Sequence, residues 1–250
     1  MNIKILKKII GIFGYKIIEK NFIKNQRILF EKSDFTVKNI LDFLFKKKYI
    51  KSIVQIGAND GISYEHINYY IKKYKTNSLL VEPIKNNFKL LVKNYKNLNF
   101  VRLENSAVSL NNEIKFLYKV DEKYLGKYDP VARAIPSFDY KHLIKHGIKK
   151  KHIAKEIVNQ ITFLDLFKKY GISNFDLLYM DTEGYDCNLL TNFLEKVKIR
   201  PIIIFEWNHA PNHNLISCLN LLTANSYSLL PVNIDLICIP KEKNIKILIN

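Results

Sequence analysis

Residues able to do chemistry recur where the β-strands of the sequence pattern end. From Tyr49 onward, short β-branched runs alternate with helical segments, the pattern typical of βαβ units. In an open parallel sheet, ligands bind beyond the carboxyl ends of the strands. Helix capping accounts for one or two polar residues at such ends, but here all five ends carry them. These ends read GANDG (57–61), EP (82–83), ENSA (104–107), DTEG (181–184) and EWNH (206–209).

The first of these loops and the acid that follows it predict a nucleoside-binding site. Small residues at 57, 58 and 61 let the backbone turn tightly and approach a ligand. Asn59 is among the few residue types besides glycine that tolerate a left-handed conformation. Glu82 ends the second predicted strand, where an acid typically accepts hydrogen bonds from ribose hydroxyls.

The glycine spacing separates the candidate cofactors. The dinucleotide fingerprint G-x-G-x-x-G would need glycine at 57, 59 and 62, whereas the chain has Gly57, Asn59 and Ile62. The methyltransferase loop G-x-G-x-G needs glycine at 57, 59 and 61, and the chain departs from it only at Asn59. The sequence has no G-x-x-x-x-G-K-[ST] phosphate loop. The loop therefore favours S-adenosylmethionine, which carries no phosphate.

Four segments resemble the FkbM family of S-adenosylmethionine-dependent methyltransferases. They are VQIGANDG (54–61), LVEP (80–83), LLYMDTEGYD (177–186) and IIFE (203–206). The resemblance covers residues 52 to about 207, and its D-x-E-G segment is the most specific part. It implies a class I methyltransferase that methylates a hydroxyl of a sugar, glycan or secondary metabolite.

The resemblance also implies which residues hold the cofactor. Gly57, Asn59 and Gly61 would line it, Glu82 would bind the ribose, and Ser106 and Ala107 would lie near the adenine. Asp60 and Pro83 complete the predicted set. Class I enzymes often have an acid where Gln55 stands, so Gln55 would hydrogen-bond the cofactor without a salt link to its amino group.

Transfer of a methyl group to an alcohol requires a near-attack geometry and a base for the hydroxyl proton. The candidate catalytic residues are Asp181, Glu183, Glu206 and His209. We expect Asp181 to contact substrate or cofactor, and His209 to be the base because its unperturbed pKa lies near neutral. Glu183 as a helix cap and His209 as an exposed loop residue remain alternatives. Asp181, Glu206 and His209 could bind a divalent cation, but their spacing requires none, so no metal site is predicted.

The elements that position these residues predict a doubly wound, mostly parallel α/β sheet of the class I, Rossmann-like type over residues 49–250. Residues 119–159 interrupt the alternation with two prolines and a basic tract. A long insertion of this kind is usually an active-site lid or substrate loop. Arg133, Ser137 and His142 are its candidate acceptor contacts, although charged runs are usually solvated faces.

Residues 1–48 are predicted to be a helical N-terminal extension. Apolar residues follow helical spacing among lysines in residues 1–20, so this segment either packs on the main domain or lies on the inner membrane surface. A second helix is expected from about 36 to 47, with Asp34 as its N-cap. The sequence has no apolar run near the roughly 20 residues that span a bilayer.

Charge and cysteine content narrow the remaining function classes. Forty Lys and Arg against 23 Asp and Glu give a net charge of +17, which attracts anions. Because the lysines are spread along the chain, a nucleic-acid methyltransferase is the less favoured alternative, and a non-catalytic cofactor-binding module is another. Three cysteines without metal-ligand spacing favour a reducing, cytoplasmic location. The sequence does not indicate an oligomeric state.

Overall fold

A seven-stranded sheet forms the centre of the computed structural model, which describes residues 36–63, 66–111 and 115–245. The strands of the described chain are β1 (Ser52–Ile56), β2 (Asn77–Val81), β3 (Val101–Glu104), β4 (Ala107–Val108), β5 (Lys115–Val120), β6 (Ile153–Val158), β7 (Gln160–Ile161), β8 (Leu177–Met180), β9 (Ile202–Glu206), β10 (Tyr227–Val232) and β11 (Asp235–Pro240). The central sheet has the order β10-β11-β9-β8-β1-β2-β3. Only β11 runs antiparallel to its neighbours. This is a doubly wound order with an antiparallel strand inserted near one edge, so the predicted fold is confirmed.

Helices connect the strands as the alternating sequence pattern predicts. They are α1 (Val37–Lys46), α2 (Ile67–Tyr74), α3 (Lys85–Asn94), α4 (Tyr140–Lys145), α5 (Phe163–Tyr170), α6 (Asp186–Lys196) and α7 (Asn212–Ala224). The inner strands β8 and β9 are buried at every residue, as parallel strands covered by helices on both faces must be. Their carboxyl ends therefore meet at one protected edge of the sheet.

Helix α1 belongs to the core of the main domain. Its side chains Ile40, Leu41 and Leu44 are fully buried in the same apolar cluster as Ile53 and Ile204 of the sheet. The described residues belong to one compact unit. The apolar stripe of α1, which the sequence analysis placed in an N-terminal extension, completes one layer of its core.

Thr36 caps α1. Its hydroxyl accepts a hydrogen bond from the amide of Asn39 at 3.3 Å, and the Asn39 side chain accepts one from the amide of Thr36 at 2.9 Å. This reciprocal pair is a capping box, and it takes the role that the sequence analysis gave to Asp34. Asp34 and the predicted amphipathic segment 1–20 lie outside the described residues.

The insertion at 119–159 folds into a small unit of its own. Strand β5 pairs antiparallel with β6 at the other end of the insertion. Between these strands a separate apolar cluster contains Val120, Ala132, Ile135, Leu143 and Ile148. The two ends of the insertion are therefore joined by one antiparallel strand pair, and the insertion has its own core.

None of the helices in the described part of the chain has the length and apolar character needed to cross a bilayer.

Candidate active site

A cavity lies where the carboxyl ends of β1, β2, β3 and β8 meet. It contains about 720 Å³ of empty space, counted out to its open mouth. The strand ends contribute Gly57, Asn59, Glu82, Pro83, Ser106, Ala107, Asp181, Thr182 and Glu183 to its wall, and the insertion contributes Ala134, Pro136 and Phe138. Four of the five polar strand ends thus line one cavity together with the predicted lid.

The turn after β1 depends on Gly57 and on the left-handed conformation of Asn59. Gly57 has φ +84°, and a Cβ there would lie 1.8 Å from the backbone oxygen of Asp181. Asn59 has φ +48°, the conformation that the sequence analysis allowed for it. The amides of Gly57 and Ala58 both donate to the carbonyl of Val81, at 2.9 and 3.0 Å. The turn is therefore pressed between the ends of β2 and β8, where no side chain at position 57 would fit.

Asp60 and Gly61 build the turn and lie outside the lining of this cavity. Oδ1 of Asp60 accepts hydrogen bonds from the amides of Ile62 at 2.9 Å and Ser63 at 2.7 Å. A Cβ on Gly61 would come within 2.4 Å of the Tyr95 ring. Both residues were predicted to bind the cofactor, whereas here Gly61 allows the turn to pack on α3 and Asp60 stabilises its backbone.

Glu82 lies against the β1 turn and also lines the cavity. Its carboxylate accepts hydrogen bonds from the amide of Asn59 at 2.9 Å and from the amide of Ile84 at 2.8 Å. The side chain is 4% exposed, and burial raises its pKa to about 7. Because a carboxylate has about four acceptor positions, both oxygens can still accept hydrogen bonds from ligand hydroxyls.

Gln55 does not line the cavity, in contrast to its predicted place among the cofactor-binding residues. Successive side chains of a strand point to opposite faces, and the next residue, Ile56, lines the cavity. Gln55 sits between Leu80 and Tyr179 on the neighbouring strands. Its amide nitrogen and oxygen are buried and have no hydrogen-bond partner among the described residues.

Three further polar atoms in the cavity wall have neither a hydrogen bond nor an ion-pair contact within the described chain. They are Oδ1 of Asn59, Oδ1 of Asp181 and Oγ1 of Thr182, and all three are buried. A buried polar atom without a hydrogen bond costs about 1–3 kcal/mol. The wall therefore offers two acceptors and a hydroxyl to a polar ligand.

Carboxylates concentrate at this edge of the sheet although the chain is strongly basic. Burial and the nearby charge of Asp181 raise the pKa of Glu183 to about 9. Burial, followed by the charges of Asp181 and Glu183, raises the pKa of Glu206 to about 9 as well. Asp186, the first residue of α6, is fully buried and has its pKa raised to about 8 by burial and then by Asp181. A cationic ligand in the cavity would relieve this mutual repulsion.

Two of the four predicted catalytic residues reach the cavity. Asp181 and Glu183 line it, whereas Glu206 and His209 are absent from its wall. Nε2 of His209 lies 3.3 Å from Oε1 of Glu206, and ligand atoms of these two residues lie within 4.8 Å of one on Glu183. His209 therefore stands beside Glu183, one side chain away from the cavity.

The three predicted acceptor contacts of the insertion fall into two places. Ser137 and His142 are both buried and contact Glu183. The hydroxyl of Ser137 donates to the Glu183 carbonyl at 3.2 Å, and Nε2 of His142 lies 2.7 Å from Oε2 of Glu183. Arg133 lines a second cavity of about 870 Å³ that shares Asn59 and Ser63 with the first.

Sequence reasoning missed three residues of this region. Phe138 and Tyr185 both line the cavity, and their rings meet edge to face with centroids 5.1 Å apart. No periodicity marks this contact, since it joins the insertion to the loop after β8. His146 packs against His142, and its four-residue spacing from His142 was a signal that could have found it.

The model of the FkbM methyltransferase domain matches residues 55–228. The chain belongs to the FkbM methyltransferase family. The cofactor is therefore S-adenosylmethionine, and the protein is of the S-adenosylmethionine-dependent methyltransferase class.

Solved structures with similar folds include other methyltransferases. The FkbM methyltransferase of Methylobacillus flagellatus KT is 14% identical over 76% of this chain, with a TM-score of 0.47, and the match spans 44% of that chain. An O-methyltransferase from Bacillus cereus in complex with SAH is 10% identical over 94% of this chain and 96% of its own, with a TM-score of 0.43. No curated protein sequence matches the chain.

The lining of the cavity fits this cofactor. Glu82 offers carboxylate oxygens of the kind that accept ribose hydroxyls, beside a turn that Gly57 keeps free of side chains. The unpaired oxygen of Asn59 can accept a hydrogen bond from an ammonium group. The carboxylates around Asp181 also favour the positive charges of the ammonium and the sulfonium.

Proposed function

We propose that this FkbM-family chain is an O-methyltransferase acting on a hydroxyl of a sugar, glycan or secondary metabolite. The observation that carries the proposal is the cavity itself. Glu82 and the β1 turn form one part of its wall, and Asp181 and Thr182, each with an unpaired oxygen, form another. The insertion completes the wall, so cofactor and acceptor would share one cavity.

Glu82, Gly57, Ser106 and Ala107 are the proposed cofactor-holding residues. Glu82 would accept hydrogen bonds from the ribose, while its own position is held by the amides of Asn59 and Ile84. Ser106 and Ala107 lie in the wall beyond β3 and would contact the adenine. When bound, the cofactor supplies an electrophilic methyl group on a sulfonium centre.

Asp181 is the proposed base for the acceptor hydroxyl. Among the acids of the cavity wall, Glu82 is held by two backbone amides and Glu183 contacts His142. Asp181 has an oxygen that is buried, lines the cavity and has no partner in the described chain. This geometry favours Asp181 over His209, because His209 lies outside the cavity wall.

The insertion supports a hydroxyl-rich or anionic acceptor. Its residues complete the cavity wall, and Arg133 lines the adjoining second cavity together with Asp60, Tyr128 and Asp129. A mixture of a guanidinium, carboxylates and a phenol is suited to hydrogen-bonding many hydroxyl groups. An anionic group on the acceptor would pair with Arg133.

Incubation with methyl-labelled S-adenosylmethionine and fractionated cell extract tests the proposal. We expect label in low-molecular-weight or glycan fractions, attached as an alkali-stable ether. Label confined to RNA, DNA or protein would contradict it, as would the absence of any transfer.

An Asp181→Asn variant tests the role of the base. A missing general base lowers kcat by roughly 10²–10⁴-fold, and we expect cofactor affinity to change far less. The matched control is Asp165→Asn, which makes the same change at an exposed residue in the first turn of α5. Equal kcat in wild type and Asp181→Asn would remove Asp181 from the mechanism.

We also propose that the protein works in a reducing compartment such as the cytoplasm. Cys187, Cys218 and Cys238 are all buried and free of disulfide bonds, which is the usual state of cysteines in reducing surroundings. Cell fractionation with an antibody to the chain tests this, and recovery from an oxidising compartment would contradict it.

A further inference from the structure

Three histidines from two separate parts of the chain form one cluster beside the cavity. His142 and His146 come from α4 and its C-cap in the insertion, and His209 comes from the loop between β9 and α7. The ring centroid of His142 lies 4.5 Å from that of His146 and 4.9 Å from that of His209. The rings of His146 and His209 are 5.2 Å apart. One nitrogen from each ring lies within 4.8 Å of those of the other two.

The local backbone explains why these side chains meet. Residues four apart lie on the same face of a helix, which places His142 and His146 side by side. The loop that carries His209 passes close to Gly184, where an added Cβ would lie 3.2 Å from the backbone oxygen of His209. A glycine at position 184 therefore lets this loop approach the D-x-E-G segment and brings His209 to α4.

Two carboxylates contact the cluster. Oε2 of Glu183 lies 2.7 Å from Nε2 of His142. Oε1 of Glu206 lies 3.3 Å from Nε2 of His209. Metal-binding histidines characteristically have a carboxylate at the ring nitrogen opposite the metal, which holds the ring and raises its basicity.

We propose that His142, His146 and His209 bind a Zn²⁺ ion, with Glu183 and Glu206 orienting the histidine rings. Imidazole nitrogens suit Zn²⁺ better than Mg²⁺ or Ca²⁺, which prefer oxygen ligands. Three histidines with a further position open to water or another ligand are an established zinc arrangement. This zinc site does not depend on which acceptor the enzyme methylates.

The separation of the nitrogens is close to what the ion requires. Nitrogens at 2.0–2.1 Å from a tetrahedral Zn²⁺ lie about 3.4 Å from one another, compared with separations of up to 4.8 Å here. His146 is exposed, so rotation of its side chain can bring its nitrogen closer to the other two rings without repacking the core. His142 and His209 are more buried and would form the fixed part of the site.

The ion would clamp the insertion to the catalytic edge of the sheet. His142 and His146 belong to the same insertion that contributes Ala134, Pro136 and Phe138 to the cavity wall. His209 follows β9 of the central sheet. A metal that joins these parts would restrain the wall over the cofactor, beside Glu183.

Zinc content after chelator treatment and reloading tests the site directly. For the full chain we expect one Zn²⁺ retained per molecule after gel filtration, and a visible absorption band of four-coordinate type when Co²⁺ replaces it. His146→Ala should weaken binding at least tenfold and remove the Co²⁺ band, while its circular dichroism spectrum shows the fold to be retained. The control His66→Ala changes an exposed histidine that makes no capping hydrogen bond at the start of α2 and should bind like wild type.

Three outcomes would overturn the inference. The first is a wild-type protein that retains no zinc, and the second is His146→Ala binding zinc as tightly as wild type. The third concerns the clamp and is measured by limited proteolysis with trypsin at the insertion's lysines. Zn²⁺ should slow this cleavage in wild type and have no effect in His146→Ala, and equal cleavage with and without bound Zn²⁺ would show that the ion does not hold the insertion.

Discussion

Replacement of Glu82 by glutamine should weaken cofactor binding and remove its dependence on pH. Glu82 carries two backbone hydrogen bonds, one on each carboxylate oxygen. A glutamine has only one oxygen, so its NH₂ group would face a backbone N–H where a carboxylate oxygen now accepts. The same change removes the charge from the hydrogen bonds expected with the ribose hydroxyls.

The size of the effect follows from these contacts. A hydrogen bond to a charged group contributes about 1.5–3 kcal/mol. Weakening of two such bonds to the ribose predicts a loss of about 3 kcal/mol, which raises Kd roughly 100-fold. If the substitution also shifts the β1 turn, the loss of binding free energy will be larger.

The pH dependence has a definite sign. Burial raises the pKa of Glu82 to about 7, and only the ionised carboxylate can accept on both oxygens. Cofactor binding should therefore weaken as the pH falls through about 7, by up to roughly tenfold per pH unit. In Glu82→Gln the affinity for the cofactor should no longer change with pH through this group.

Calorimetric titration with S-adenosylhomocysteine at pH 6, 7 and 8 measures both effects. The matched control is Glu195→Gln, at an exposed position on α6, which should bind like wild type. Equal affinity in Glu82→Gln and wild type would refute the reasoning, and so would an unchanged pH slope in the variant.

Three more predictions concern the architecture around the cavity. Gly57→Ala should destabilise the fold by more than about 3 kcal/mol in urea unfolding, because its Cβ would overlap the backbone of Asp181. Gly147→Ala, with φ +80° but nothing within 4 Å, should cost only about 1 kcal/mol, and similar losses for the two would contradict the clash. The pKa of buried Asp186 is raised to about 8, so its contribution to stability is full below its unfolded pKa and is lost as the pH rises through about 8. Between pH 6 and pH 9 the Tm of Asp186→Asn should accordingly fall less than the Tm of the wild type. An equal fall in Tm for both proteins would count against this. Phe138→Ala removes the ring contact with Tyr185 and should raise the Kd for cofactor several-fold, whereas an unchanged Kd would show that this part of the lid does not restrain the cavity.

The sheet and the location of the site could be predicted from local patterns in the sequence. Strands such as β1 and β8 are short apolar runs that end in polar residues, and parallel strands must present those ends at one edge. The order of the elements, without any side-chain geometry, is therefore enough to predict that Asn59, Glu82, Ser106 and Asp181 lie together. All four line one cavity.

Side-chain directions and long-range contacts could not be predicted from these local patterns. Gln55 shares its strand with Ile56, but alternation turns it away from the cavity, and a motif comparison ignores this. Gly61 looks like part of a cofactor loop, whereas the ring of Tyr95, 34 residues further on, is what requires it. The meeting of His142 and His209 depends on how the insertion folds against the sheet, and no local pattern encodes that contact.

Helix α1 illustrates the same limit. The spacing of apolar residues predicted this helix, but the sequence could not show what its apolar face would contact. That face is buried with Ile53 and Ile204, and the second of these lies more than 150 residues further along the chain.

A crystal structure of the protein with S-adenosylhomocysteine would show whether this cavity holds the cofactor. We expect the nucleoside in the cavity between the β1 turn and Asp181, with both ribose hydroxyls within hydrogen-bond distance of the Glu82 carboxylate. A ligand bound elsewhere, or bound in the cavity without contact to Glu82, would contradict it.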